Sequence, residues 1–321
     1  MDVCSPTIRY NIIINNTATN LSSVVSAGGG GIRVGDGNPI IENNIIAHNQ
    51  GKYGPGIVLN YTGCRIKNNI IASNTGATSY LGGGGIWIYN DLGTKPKIIE
   101  NNTIINNSSY TAGTGGISAE SATNVIMHNN IIWGNIPVAT QIKTVSCTVQ
   151  ATYNDVQNGY TGVGNINANP LLDSLCVTLS ASSPCIDAGD TVSLYKDLTS
   201  GANVAKFPSM GSAHNDMGAY GGPGAFLMHC SKIVVLGILE LLNLTEHIAV
   251  YPNPTNGQFT IETNSTEKQT LQIVDLNGRI VFNQNINGAT IIDATNLNEG
   301  VYTLAIKTVD RVINKKLVIV H

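Results

Sequence analysis

Asn43-Asn44-Ile45-Ile46-Ala47-His48-Asn49 returns as Asn68-Asn69-Ile70-Ile71-Ala72-Ser73-Asn74, and this recurrence decides the fold. The phrase opens earlier as Asn11-Ile12-Ile13-Ile14-Asn15-Asn16. It continues as Asn101-Asn102-Thr103-Ile104-Ile105-Asn106-Asn107 and Asn129-Asn130-Ile131-Ile132-Trp133-Gly134-Asn135. The closing residues Asn16, Asn49, Asn74, Asn107 and Asn135 stand 33, 25, 33 and 28 apart, a period of solenoid size. Between them falls a second phrase: Gly30-Gly31-Ile32-Arg33-Val34, Pro55-Gly56-Ile57-Val58-Leu59, Gly84-Gly85-Ile86-Trp87-Ile88 and Gly115-Gly116-Ile117-Ser118-Ala119.

These apolar runs are three to five residues long, rich in β-branched side chains and bounded by Gly or Asn. A helix needs 3.6-residue periodicity over ten or more residues, so the runs read as strands. Scarcity of Leu excludes leucine-rich repeats, and a propeller needs about four strands per blade and a longer period. A right-handed parallel β-helix is the expectation, with roughly six coils at about 4.8 Å each giving a rod of about 30 Å. Strand alternation sends Ile32, Val34, Ile86 and Ile88 inward and Arg33 and Trp87 outward. Asn tolerates the left-handed backbone of a sharp bend, and stacked copies can pass amide hydrogen bonds along the axis. The five closing Asn residues are therefore predicted to form a structural ladder.

Composition bounds the rest. Of 321 residues only 12% are charged and 6% aromatic, while 42% are hydrophobic, 35 are Gly and 39 are Asn. The length predicts two domains, and the hydrophobic content can build a core. With a net charge of -3 and pI near 6.0, no basic stripe is present to neutralise a phosphate backbone or grip a membrane surface, which excludes nucleic acid. Six scattered cysteines show no zinc spacing. A buried thiol is the reading for Cys64, and an exported chain could pair Cys176 with Cys185 across a short loop. The start, Met1-Asp2-Val3-Cys4, has no signal peptide, and the repeat begins without a polar cap, so the chain is expected to be a piece of a longer exported protein.

The Gly-Gly-Gly-Gly-Ile and Glu-Asn-Asn-Ile-Ile phrases resemble the repeats of the pectate-lyase-like superfamily, over about residues 7 to 170. That superfamily holds polysaccharide lyases, polygalacturonases, tail spikes and adhesins, so the resemblance speaks to fold more than chemistry. Tyr153-Asn154-Asp155-Val156, Asn169-Pro170-Leu171, Ser183-Pro184-Cys185-Ile186-Asp187-Ala188-Gly189 and Asp216-Met217-Gly218-Ala219-Tyr220-Gly221-Gly222 resemble the closing segment of choice-of-anchor surface proteins. Residues 1–224 are accordingly assigned to the β-helix with its closing coils and cap, and 225–246 to a linker. The linker's apolar stretch is too short and too interrupted to span a membrane.

From residue 247 the text changes. Phe259 and Ile261 alternate with polar residues, Asn277-Gly278 suits a hairpin and Val301 to Ile306 reads as a half-buried strand, so 247–321 is predicted to be a small antiparallel Ig-like β-sandwich. Tyr251-Pro252-Asn253-Pro254 with Gly257, Leu271 to Arg279 with Asp275 and Gly278, Leu297 to Leu304 with Gly300 and Tyr302, and Lys315 to Val320 closely resemble the type A sorting domain of the Bacteroidetes type IX secretion route. The resemblance implies a secreted or outer-membrane surface-attached protein with the type IX machinery and a sorting protease as partners. It also implies anchoring to lipopolysaccharide.

Catalytic machinery is harder to find. Arg65-Ile66-Lys67 is similar to a polygalacturonase motif, but the paired Asp and Gly-His-Gly elements that glycoside hydrolysis requires are missing. The acids of the repeat are isolated, with Glu42 and Glu100 at equivalent positions. They leave room only for a weak calcium site. His48, His128 and His214 lie near no serine elbow. Trp87 and Tyr89 share an outward face, offering aromatic rings to a sugar, and Trp133, Tyr53 and Tyr61 are further rings of the same kind. No catalytic residue is assigned. A carbohydrate-binding or adhesive surface protein is the leading expectation, followed by a polysaccharide-cleaving enzyme with its active site in coils preceding this sequence, and by a structural stalk.

Overall fold

The computed structural model describes residues 4–18, 29–76, 82–89, 95–109, 113–173, 176–228, 249–262, 269–276, 278–307 and 312–320. The chain divides between residues 238 and 239 into two compact units. From residue 229 onward the expected linker lies outside the described residues.

The first unit is a parallel β-helix. Its first sheet stacks Thr7–Arg9, Ile40–Glu42, Cys64–Lys67, Lys97–Glu100, Val125–His128 and Val149–Thr152. A second stacks Ile12–Ile14, Ile45–Ala47, Ile70–Ala72, Thr103–Ile105, Ile131–Trp133 and Asp155–Val156. A third runs from Ile32–Val34 through Ile57–Asn60, Ile86–Tyr89 and Ile117–Glu120 to Ile142–Val145. All these pairings are parallel, and the repeated phrases align, so that Ile13, Ile46, Ile71, Ile104 and Ile132 share one column. That column meets Ile41, Ile66 and Ile99 from the first sheet and Ile57, Ile86 and Ile88 from the third in one core. Each such side chain contributes about 1.5–3 kcal/mol by leaving water.

The doublet Asn-Asn divides two tasks that the sequence had assigned to one residue type. Its first member takes the left-handed backbone at the bend: Asn43, Asn68, Asn101 and Asn129 have φ between 49° and 56°. Its second member turns into the coil and builds the ladder. At the bend before the third sheet, glycine is demanded by crowding instead, since a Cβ on Gly56 would lie 2.3 Å from the Gly85 carbonyl oxygen and one on Gly116 2.2 Å from that of Gln141.

The closing segment does more than stack. Val149–Thr152 and Asp155–Val156 add the last rungs, and Ile166 bridges to Asp155. The chain then turns back along the outer flank of the second sheet, where Val177, Leu179, Cys185, Met217, Ala219 and Tyr220 cover Ile45, Ile70, Ile105 and Ile131. Bend asparagines fasten this strap: the Asn101 amide donates to the Asp216 carbonyl at 2.9 Å and the Asn68 amide to the Gly221 carbonyl at 2.7 Å. The Ala219 N–H donates to Thr103 Oγ1. Further along, the Phe226 ring packs edge-on against Tyr10 of the first coil, centroids 4.9 Å apart.

Cysteine pairing differs from the expectation. Cys176 is disulfide-bonded, whereas Cys185 is a free, buried thiol whose Sγ donates to Asp155 Oδ2 at 3.3 Å. Cys185 packs against the second sheet and is not the partner of Cys176. Cys64 is a free buried thiol in the coil interior, and burial pushes its pKa up to about 12, with Lys97 opposing.

In the second unit, a three-stranded antiparallel sheet orders Ala249–Tyr251, Gln258–Glu262 and Thr290–Asp293. A four-stranded one orders Ile280–Ile286, Gln269–Val274, Gly300–Lys307 and Val312–Ile319. Phe259, Ile261, Leu271, Ile273, Ile292, Leu304 and Leu317 meet between them, as two facing amphipathic sheets require. Among the described residues no helix is long and apolar enough to cross a membrane.

Candidate functional site

Three places in the described chain carry candidate chemistry: the ends of the second unit's motif, the aromatic face of the third sheet, and the outer face of the first sheet.

In the second unit the two ends of the motif come together. Asn253 Nδ2 donates to the Lys316 carbonyl at 2.7 Å and its Oδ1 accepts the Val318 N–H at 2.9 Å, so one side chain pairs like a strand with the last strand. Thr255, which the motif reading passed over, completes the pairing by donating its N–H to the Val318 carbonyl and accepting from Val320. Pro252 and Pro254 flank Asn253 with cis peptides. Gly257 has φ 110°, and a Cβ there would lie 2.7 Å from Thr295, so only glycine fits. Asp275 holds the turn before Ile280: its Oδ1 accepts the Arg279 N–H at 2.9 Å and its Oδ2 the Arg279 guanidinium at 2.8 Å, while Gly278, φ 79°, donates its N–H to the Asp275 carbonyl. Asn277 lies outside the described residues. Gly300 pairs with Ile319, and the Tyr302 hydroxyl donates to the Asn298 carbonyl at 2.8 Å. Tyr251 is half exposed, its hydroxyl donating to Glu262 Oε2 at 3.0 Å. Most of these residues shape turns and edges of the sandwich.

Residues 249–320 match the family model for the secretion system C-terminal sorting domain. The second unit is a type IX sorting domain. A sorting domain marks its chain for export, so the protein is secreted or attached at the outer-membrane surface, and the sorting domain is the part that engages the secretion machinery. No curated protein matches the chain.

The aromatic face corrects a sequence expectation. Trp87 does point away from the core, but it is only 1% exposed. Its indole is stacked between Tyr53 and Tyr89, with both ring centroids 4.9 Å away, and the backbone at Gly82 passes over it. Tyr89 is half-buried in the same stack. Alternation fixes which face a side chain takes, and coverage by a neighbouring loop then decides exposure. Trp87 therefore has no open face to offer a sugar, and its Nε1 is buried without a hydrogen-bond partner among the described residues.

The outer face of the first sheet is polar and aligned. Register places Arg9, Glu42, Lys67, Glu100, His128 and Thr152 in one column. Lys67 Nζ lies 3.0 Å from Glu42, and Arg65, one column over, grips Glu100 in a fork at 2.7 and 3.1 Å. That fork, aided by the Glu100 charge, raises the Arg65 pKa. His128 Nδ1 meets Thr152 Oγ1 at 2.6 Å, and its ring lies 5.7 Å from that of Tyr195 on the strap. Burial lowers the His128 pKa, with Asp190 and Glu100 opposing; burial raises that of Tyr195, helped by Glu100 and Asp190. Sequence reading treated Glu100 and His128 separately and missed Tyr195, which reaches them only because the strap folds back.

Of the ladder asparagines, Asn49, Asn74, Asn107 and Asn135 are buried in the wall of the coil and Asn16 is exposed; from Asn16 to Asn135 each donates to the next at 2.8–3.0 Å. Gln141 ends the series. A second ladder, Asn11, Asn44, Asn69, Asn102, Asn130, Asn154 and Asn165, runs beside it. His48 is a bend residue with φ 55°, and His214 Nδ1 bonds the Asp187 carbonyl. Among the described residues no group of three or more His, Cys, Asp or Glu is arranged to hold a metal ion.

Proposed function

We propose that the exported β-helix is a carbohydrate-binding or adhesive protein of the cell surface, with its ligand along the outer face of the first sheet. The observation that supports this is the column Arg9, Glu42, Lys67, Glu100 and His128, which repeats hydrogen-bonding groups at rung spacing, about 4.8 Å. Arg9 and Lys67 donate and the partly exposed Glu42 accepts, so the row offers both partners that hydroxyl groups use, while Glu100 is buried and held by Arg65. In this reading the type IX translocon docks on the sorting domain, a sorting protease cuts ahead of it, and lipopolysaccharide holds the mature protein.

An array of plant, algal and host polysaccharides probed with the full chain, with and without calcium, tests the reading. Retention on a defined glycan that weakens in Arg65→Ala and Lys67→Ala supports it; absence of retention on every glycan sinks it. A second reading, cleavage of a polysaccharide, draws on the convergence of Glu100, His128 and Tyr195. It predicts release of reducing or unsaturated ends on the same array.

A further inference from the structure

A cavity of about 220 Å³ opens where the strap leaves the last rungs. Ile105 and Trp133 line it from the second sheet, and Leu172 and Val177 from the strap, while Asn106, Asn169 and Asp173 bring polar groups to it. Ligand sites characteristically combine a mostly apolar lining with a few convergent polar groups. This one lies below the roughly 300–1,000 Å³ of ordinary ligand pockets, which leaves room for one ring and not for a chain.

The lining selects the ligand's chemistry. Half-buried Trp133 supplies a flat apolar surface of the kind an aromatic ring offers to C–H groups. Asn106 and Asn169 are exposed residues whose amides carry donors for hydroxyl groups, and Asn106 adds an acceptor, while Asn169 Oδ1 already accepts the Leu171 N–H at 3.1 Å. Asp173 is fixed in place, its Oδ1 accepting the Cys176 N–H at 3.0 Å and its Oδ2 the Thr178 hydroxyl at 2.7 Å. A fixed negative charge there disfavours an anionic sugar.

We infer that this cavity is a subsite for a single neutral pyranose ring, seated against Trp133 and hydrogen-bonded by Asn106 and Asn169. It lies on the second sheet's flank and is separate from the charged column of the first sheet. The inference rests on the carbohydrate reading, and its test has its own readout.

The chain has two tryptophans, and Trp87 is shielded in its tyrosine stack. In full-length Trp87→Phe the indole emission comes from Trp133 alone. Titration with neutral methyl pyranosides should give a saturable change in that emission, and methyl glucuronide little or none. The same titration of the unsubstituted chain against Trp133→Phe gives an independent readout, since the signal should vanish in Trp133→Phe. Asn106→Gly, which keeps the left-handed bend at φ 54°, should weaken the neutral sugar about tenfold. Absence of a saturable change with every neutral pyranoside overturns the subsite, even where the array shows polysaccharide retention. So does a preference for the uronide or for an alkyl or indole probe. A saturable change with no polysaccharide retained upholds the subsite and removes the extended-ligand reading.

Discussion

Asn102 Oδ1 accepts two hydrogen bonds from Asn69 one rung earlier, one from its backbone N–H and one from its side-chain amide, both at 3.0 Å. Its own amide donates forward to Asn130 and back to the Ile66 carbonyl. One side chain thus ties three successive coils. Asn102→Leu should leave several buried polar groups unpaired, each costing about 1–3 kcal/mol. The expected loss is about 3 kcal/mol or more, read as a lower denaturation midpoint. Asn102→Asp should be at least as damaging, because a buried carboxylate cannot supply the lost donors.

The Arg65–Glu100 fork should matter less than its geometry suggests. Arg65 is 41% exposed at its side chain while Glu100 is 8% exposed, so solvent screens part of the attraction. Glu100→Gln is expected to destabilise by about 1 kcal/mol, with the loss shrinking at high salt. A larger, salt-independent loss in urea unfolding would show that Glu100 is held by something other than this pair.

The strap should weaken as pH rises. Burial holds Asp216 up to about 7 and Asp197 up to about 8, the latter raised further by the Asp216 charge. Asp187 adds negative charge to both sites, and His214 opposes it at Asp216. Unfolded, both carboxyls titrate near 4, so between about pH 4 and pH 8 the folded state holds more protons than the unfolded one. Stability is then greatest below about pH 4 from these groups, falls as pH rises through 7 to 8, and levels off above. Thermal unfolding across this range should show the decline, and Asp197→Asn should flatten it. A stability that climbs from pH 5 to 8 would contradict the assignment.

Sorting should depend on the union of the motif's ends. Asn253→Ala removes both bonds to the last strand, and we expect reduced surface delivery with precursor retained in the periplasm, measured by fractionation. Deletion of residues 247–321 should abolish delivery altogether. Lys143→Ala, on the third sheet of the β-helix, should leave delivery unchanged.

Much of this architecture was readable because the causes are local. Ile32 and Val34 flank Arg33, and alternation alone sorted them; the Asn phrase fixed the coil spacing. The sandwich was legible in Phe259 and Ile261 for the same reason. The second ladder was hidden because Asn43 and Asn44 are chemically identical in sequence, and only the backbone shows that the first bends and the second bonds. The burial of Trp87 depends on Tyr53 and Gly82 lying over it, and the Trp133 cavity on Leu172 and Val177 arriving from another segment. No periodicity encodes such meetings. Asn68 finds Ala219 across 151 residues.

Coil stacks held only by nearest neighbours can fray from either end, each rung coming loose by itself. Here the last-made part of the β-helix runs back past the bends of Asn129, Asn101 and Asn68 to reach Tyr10. A rung at one end cannot open without lifting a seam that the others share. Denaturation of this unit should accordingly be a single cooperative event, with a denaturant slope set by the surface of the whole unit and not by that of one coil.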